Sequence, residues 1–233
     1  MSLYLIIMGV QGAGKGTQAA FISEEFNIPH VSTGDLFRAM KTRTDELAQR
    51  VQQIMESGAL VPDDVTNEVL ADRLAQPDAQ NGVILDGYPR NIAQAEWLAD
   101  HLKAKGAALD TVLLLELDYY VAFKRAFGRV KSPGTGEAHN IYFNDGSIDY
   151  AFVEDPDGKF PPRIEATRNG ETLTRRKDDH AGSVVKRIDI FEANTKPLID
   201  HYRQQGLLLT IEANQPIAQV SADIKQAIKK VQA

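Results

Sequence analysis

The sequence predicts an α/β protein: a five-stranded parallel sheet flanked by helices, interrupted by one helical insert and one small β-rich insert. Three observations predict it. Short apolar runs at residues 3–8, 30–31, 83–85, 112–117 and 207–211 recur along the chain, with longer stretches of helical spacing between and after them. The first, fourth and fifth runs are nearly continuous aliphatics without polar alternation, the pattern of strands covered on both faces. Two stretches break the rhythm: 34–74 reads as helical throughout, and 131–175 reads as containing no helix. Regular strand–helix alternation gives a parallel sheet with right-handed crossovers.

The helical patterns lie at 15–26, 91–105, 119–129, 178–205 and 216–231. Within 34–74, Thr44 and Asp63 are candidate N-caps, and Pro62 marks a helix start. The stretch 131–175 holds Gly134, Gly136, Gly146, Gly158 and Gly170 together with Pro133, Pro156, Pro161 and Pro162. Its segments 140–143 and 148–153 read as small strands joined by the turn Asn144-Asp145-Gly146. A helix-free stretch of this length in an α/β chain is usually a lid or a binding loop. No internal repeat is present.

Composition excludes several classes. The chain has 233 residues, 43% apolar and 25% charged, with a net charge of -6, so a polyanionic partner such as nucleic acid is not expected. There is no cysteine, which rules out disulfides and cysteine-ligated zinc. The apolar opening reads as a buried strand rather than a signal peptide, and no run reaches membrane-spanning length. A cytoplasmic protein, monomeric by default and without a membrane partner, is the expectation. His30, His101, His139, His180 and His201 do not pair at metal-ligand spacing, and Glu154-Asp155-Pro156-Asp157-Gly158 reads as a solvated acidic turn. Trp97, on a predicted helix, reads as packing.

Chemistry concentrates in Gly9-Val10-Gln11-Gly12-Ala13-Gly14-Lys15-Gly16-Thr17, which follows the first strand and opens the first helix. Glycines let successive N–H groups turn inward, and the helix N-terminus adds its dipole, so the loop suits a phosphate chain. Lys15 can reach the β- and γ-phosphates, and the Thr17 hydroxyl can help to hold Mg²⁺. The rest of the loop, Gly12, Ala13, Gly14 and Gly16, supplies backbone to the nucleoside triphosphate. Gly16 stands between the lysine and the hydroxyl residue, a departure from the strict pattern.

Phosphoryl transfer spreads charge over three oxygens, and arginine is the side chain that meets it. Arg38, Arg90, Arg125, Arg129, Arg176 and Arg187 are the candidates. Arg125 and Arg129, four apart, are expected on one face of a helix. Asp86 ends the run 83–85. Ligands of open parallel sheets bind beyond the carboxyl ends of the strands, so Asp86 is a candidate to orient the hydrated Mg²⁺.

Several segments in order resemble the long-lid adenylate kinases among the nucleoside monophosphate kinases, and the resemblance covers nearly the whole chain. They are the loop with its extra glycine, Val31-Ser32-Thr33-Gly34-Asp35-Leu36-Phe37-Arg38, Gly58-Ala59-Leu60-Val61-Pro62-Asp63, Leu85-Asp86-Gly87-Tyr88-Pro89-Arg90, and Thr174-Arg175-Arg176-Lys177-Asp178-Asp179. The resemblance implies a P-loop kinase fold with a core of 1–32, 76–130 and 176–233, an AMP-binding helical insert at 33–75 and a lid at 131–175. It implies transfer between ATP and AMP to give two ADP, with Mg²⁺; the cysteine-bound zinc that some lids of the family carry is not expected in a chain without cysteine. Thr33, Gly34, Arg38, Val61, Gly87, Arg90 and Gln94 would hold AMP. Arg125, Arg129 and Gln215 would meet ATP. Arg176 and Arg187 would clamp the transferring group, and touch AMP, while Lys15, Arg90 and Arg129 complete the catalytic set. Asp178 and Asp179 would pair with lid groups or with Mg²⁺ waters. The chain departs from the family's pattern at Gln11, where proline is usual, at Gln215, and in a longer lid whose stiffness must come from packing around Tyr142, Phe143, Tyr150 and Phe152. A kinase for another monophosphate, such as UMP or CMP, or a nucleotide sensor without turnover, are the alternative readings.

Overall fold

The computed structural model describes residues 2–56, 61–153, 163–175 and 179–232. The chain divides into two compact units. One comprises Met1–Met8, Lys15–Leu115 and Asn194–Ala233; the other comprises Gly9–Gly14 and Glu116–Ala193.

The first unit is the sheet. Its strands are β1 (Leu3–Met8), β2 (His30–Ser32), β3 (Gly82–Asp86), β4 (Thr111–Glu116) and β10 (Leu208–Glu212), in the spatial order β10-β4-β1-β3-β2. β1 pairs in parallel with β3 through Leu5↔Ile84 and with β4 through Leu5↔Thr111, and β2 pairs in parallel with β3. All six β1 residues are buried, as a strand needs when helices cover both faces. The helices are α1 (Lys15–Phe26), α5 (Ile92–Ala104), α8 (Lys196–Gln204) and α9 (Ile217–Gln232). One core cluster joins Ile6, Met8, Leu85, Tyr88, Leu98, Leu102, Val112 and Leu198. Trp97 packs edge-on against Tyr88 and stacks on His101, in keeping with its reading as a packing residue.

Residues 33–74 form α2 (Thr33–Met40), α3 (Glu46–Glu56) and α4 (Asp63–Leu74) around a core of their own: Met40, Ala48, Val51, Val65 and Val69. Both expected caps are corrected. The Asp45 carboxylate, not Thr44, accepts from the Ala48 N–H at the start of α3. At α4 the cap position is Pro62, with no side-chain bond, and Asp63 is the first helical residue.

The second unit contains α6 (Tyr119–Phe127), α7 (Ala181–Ile190) and the small strands β5 (Arg129–Lys131), β6 (Ala138–Asn140), β7 (Ile148–Val153), β8 (Arg163–Arg168) and β9 (Glu171–Thr172). β5 pairs with β6, and β7, β8 and β9 form an antiparallel sheet. Phe127, Val130, Ile141, Ile148, Ile164 and Val184 are its core. Rings extend that core: Phe127 stacks on Phe152, and Tyr142 meets Tyr150 edge-on. Phe143, Tyr150 and Phe152 all remain exposed, so these rings flank the core rather than fill it. A polar cluster lies beside it, where Ser132 Oγ sits 3.0 Å from His139 Nε2 and the Arg168 guanidinium reaches the same ring.

Two helix expectations change. Arg125 and Arg129 do not share a helical face, because α6 ends at Phe127 with Gly128 as C-cap and Arg129 opens β5. The single helix expected over 178–205 is two helices with a π turn, Phe191–Thr195, between them. Pro197 sits in the first turn of α8 and has no N–H to give the preceding turn, which widens there.

Candidate active site

In the sheet unit, the carboxyl ends of β2 and β3 lie side by side, with Ser32 opposite Asp86. Ser32 caps α2 by accepting from the Asp35 N–H. The buried Thr33 hydroxyl donates to the Gly87 carbonyl at 3.1 Å. The same carbonyl accepts Arg90 Nε at 3.0 Å, and Arg90 Nη2 reaches Thr33 Oγ1 at 3.5 Å. Gly87 has φ +80, and a Cβ there would lie 2.9 Å from the Thr33 hydroxyl, so glycine is required. Thr33, Gly87 and Arg90 are therefore one bonded group, although 54 and 57 residues separate Thr33 from the other two.

Lys15 opens α1, half-buried. Burial pushes its ammonium below the ordinary lysine value; Asp86 opposes that shift and Arg90 adds to it. A lysine whose charge is disfavoured by desolvation gains most from an incoming polyanion. Asp86 also faces His30, whose Nε2 is 3.6 Å from Asp86 Oδ2. His30 carried no functional reading in the sequence, and only its place at the start of a sheet strand marks it.

Arg38 is occupied. Its Nε and Nη2 donate to Asp35 Oδ1 at 3.2 and 2.5 Å, and that pairing holds the Asp35 carboxyl below its ordinary value. Gln94 is buried, its amide oxygen accepting from the Arg90 N–H and its amide nitrogen donating to Asp63. Val61 is half-buried. Gln215 donates to the Glu212 carbonyl and to Asp223 Oδ2, both at 2.8 Å, so its amide is held within the β10–α9 connection.

The second unit holds the first half of the glycine loop. Gly12 and Gly14 have φ of +96 and +93, and the Ala13 N–H closes a turn onto the Val10 carbonyl at 3.1 Å. Gln11 buries its side-chain oxygen without a hydrogen-bond partner among the described residues. Arg129 donates two parallel bonds to Asp179, Nε to Oδ2 at 3.0 Å and Nη2 to Oδ1 at 2.7 Å. The Asp179 side chain is 0% exposed and that of Arg129 31%. The expectation for the Asp179 carboxylate is pairing with a lid group or with metal waters; its partner is Arg129, which precedes the expected lid of 131–175. Arg175 bonds the Phe127 and Asp179 carbonyls and lies over the Phe127 ring. Arg125 and Arg187 are half-buried on α6 and α7. Arg176, Lys177, Asp178, the segment 57–60 and the acidic turn at 154–158 lie outside the described residues.

A family model described as adenylate kinase matches residues 7–207. The chain belongs to the adenylate kinase family. An adenylate kinase of Thermoanaerobacter sp. (strain X514) is 41% identical over 224 residues, 96% of this chain and 97% of that protein. One of Streptomyces avermitilis is 42% identical over 228 residues, 97% of each chain. One of Clostridioides difficile is 40% identical over 227 residues, 96% and 97%. Membership makes the chain a phosphotransferase of the nucleoside monophosphate kinase kind, with adenylate kinase activity on ATP, AMP and ADP. Among the described residues no helix is long and apolar enough to cross a membrane.

Adenylate kinases use their nucleotide with Mg²⁺, and the residues present fit that ion. Mg²⁺ keeps most of its waters and takes one or two carboxylates plus substrate phosphates rather than an all-protein cage. Thr17 offers an exposed hydroxyl in the first turn of α1, and Asp86 a partly exposed carboxylate at the end of β3. Among the described residues no cluster of three or more metal-ligating side chains exists that would suit a more demanding ion.

Proposed function

We propose that this adenylate kinase reaction runs between a donor site, formed by Gly12, Ala13, Gly14, Lys15, Gly16, Thr17, Arg125, Arg129 and the connection around Gln215, and an acceptor site, formed by Thr33, Gly34, Arg38, Val61, Gly87, Arg90 and Gln94. Lys15, Arg90, Arg129, Arg176 and Arg187 carry the charge of the transferring group. The division into core, AMP insert (33–75) and lid (131–175) is part of this reading. So are a cytoplasmic, monomeric state and the absence of nucleic-acid and membrane partners. The observation that carries it is the grouping of Lys15, Asp86, Thr33, Gly87 and Arg90 at one end of the sheet.

An oxygen of the AMP phosphate attacks the γ-phosphorus of ATP, and the bond from that phosphorus to the β-bridging oxygen breaks. The acceptor is already an anion, so no general base is required. Lys15 regains in the bound state the charge compensation that burial denies it. Arg90, fixed by Gly87 and Thr33, presents its guanidinium to the acceptor phosphate. Arg129 spends two of its five N–H groups on Asp179 and has others for phosphate oxygens. When bound, Mg²⁺ neutralises charge on the β- and γ-phosphates; Thr17 and Asp86 would hold it, Asp86 through water. The lid's part is to keep water from the transferring group.

The test is ADP formation from ATP and Mg²⁺ with AMP, UMP, CMP or GMP, beside a control without acceptor. Two ADP per ATP with AMP, and a loss of two or more orders of magnitude in Arg90→Ala (roughly the weight of one transition-state arginine), is the expected result. Preference for another monophosphate, or near-normal turnover in Arg90→Ala, overturns the assignment.

A further inference from the structure

Asp63 reads from the sequence as a helix cap, yet it caps nothing. Its carboxylate reaches from the start of α4 to α5. Oδ1 accepts from Gln94 Nε2 at 2.6 Å, and Oδ2 accepts from Asn91 Nδ2 at 2.8 Å. Asn91 is the N-cap of α5, its own oxygen accepting from the Gln94 N–H at 2.9 Å. Gln94 Oε1 in turn accepts from the Arg90 N–H at 2.8 Å. Tyr88 closes the group by donating to Asn67 Oδ1 at 2.6 Å and lying 3.1 Å from the Gln94 carbonyl.

We propose that Asp63 is a positioning residue that sets base selectivity at the acceptor site by fixing which way round the Gln94 amide lies. The inference rests on the reading of Gln94 as an AMP contact. An amide can sit either way round in its cavity at nearly equal volume, and only its partners choose. With Asp63 ionised, the reversed amide would turn its oxygen against a carboxylate and its NH₂ against the Arg90 N–H. Both contacts are repulsive, so one orientation survives. In that orientation the amide keeps one further N–H and one further lone pair. A donor and an acceptor side by side complement a purine edge with a 6-amino group next to a ring nitrogen, as in adenine. A 6-oxo purine presents the opposite pattern at that edge. Asp63 thus enforces preference for 6-amino over 6-oxo purine monophosphates without touching the base. Through Gln94 Oε1 it also steadies the backbone N–H of Arg90.

The experiment compares Asp63→Asn, Gln94→Ala and the double variant for kcat and KM with AMP and with IMP, together with KM for ATP and thermal unfolding. In Asp63→Asn we expect KM for AMP to rise about tenfold, the size of one charge-assisted hydrogen bond lost, and the AMP-over-IMP preference in kcat/KM to shrink by a similar factor. KM for ATP should stay within about twofold. Adding Asp63→Asn to Gln94→Ala should change KM for AMP little further, because Asp63 acts through Gln94. If Gln94→Ala weakens AMP but Asp63→Asn leaves AMP and IMP kinetics unaltered, the inference is overturned and the acceptor-site reading stands. If Gln94→Ala itself leaves AMP untouched, the reading of Gln94 falls and the inference with it. Fully additive effects in the double variant overturn the route through Gln94. Should Asp63→Asn unfold, Asn91→Ala, which keeps the Asp63–Gln94 bond, must preserve the AMP-over-IMP ratio; a collapsed ratio there also overturns it.

Discussion

Replacing Gly12 by alanine tests the phosphate loop most directly. A Cβ at Gly12 would stand 2.3 Å from the Ala122 carbonyl oxygen, with the carbonyl carbon at 3.1 Å and the Cα at 3.2 Å. Ordinary carbon–oxygen contact is about 3.3 Å or more, so about 1 Å of movement is demanded. Ala122 lies fully buried inside α6 and cannot yield cheaply. The loop must move instead. Gly12 also has φ +96, where a side chain costs roughly 1–3 kcal/mol. Displacing a positioning element by about 1 Å costs on the order of 10²-fold in rate. We therefore expect Gly12→Ala to lose about two orders of magnitude in kcat/KM for ATP and to unfold some degrees lower. Gly16 supplies the comparison: its backbone is ordinary and a Cβ there meets nothing within 4 Å. Gly16→Ala should unfold no earlier than the parent, since alanine favours helix over glycine by about 1 kcal/mol, and any fall in its ATP binding would then report on space reserved for phosphate. The assay is coupled ADP formation with ATP titrated at saturating AMP, beside thermal unfolding of each variant. A Gly12→Ala enzyme within threefold of the parent, at unchanged stability, would refute the steric argument.

Two more predictions follow from charge. Burial depresses the Lys15 value, so between that value and the ordinary lysine range the unfolded chain binds more protons than the folded one, and stability should rise with pH across that window. Lys15→Met should lack that contribution, unfold no lower than the parent at neutral pH, and lose turnover; a clear drop in its unfolding temperature would contradict the desolvation argument. For the Arg129–Asp179 pair the two deletions should be unequal. Arg129→Ala strips both hydrogen bonds from a fully buried carboxylate, with the Arg175 charge still near it, and should cost about 3 kcal/mol, whereas Asp179→Ala leaves an arginine that water can reach and should cost about 2 kcal/mol. Denaturant unfolding of both variants decides, and the reverse order would sink the assignment of burial.

The sequence made the sheet legible because its signal is local. A strand buried on both faces, such as Leu3–Met8, must be aliphatic throughout, and no partner need be known to see it. The phosphate loop was legible for the same reason: its glycines, Gly9, Gly12, Gly14 and Gly16, are separated by only one or two residues. What stayed hidden depends on residues far apart in the chain. Asp63 looks like any acidic residue in a first helical turn, and its partners Asn91 and Gln94 lie 28 and 31 positions away. Asp179 finds Arg129 fifty residues back, which spacing alone could not show. The Arg125–Arg129 face failed at one residue, Gly128, whose helix-ending role outweighed the four-residue interval. The π turn before α8 was written in Pro197, but helical periodicity on either side masked it.

The edge of the sheet has a consequence for how the chain is made. β4 is covered on one side by β1 and on the other by β10, and the Val112 N–H and Thr111 hydroxyl both reach Leu207, at 2.9 and 2.8 Å, across some ninety-five residues. During synthesis every residue of the second unit emerges before that edge can be closed. Until then a strand of consecutive aliphatics, Val112-Leu113-Leu114-Leu115, ends the sheet with unpaired backbone groups, the template on which neighbouring chains add strands. A nascent chain that stops short of Leu207 would be open to such pairing, and β10 is the strand that covers that edge.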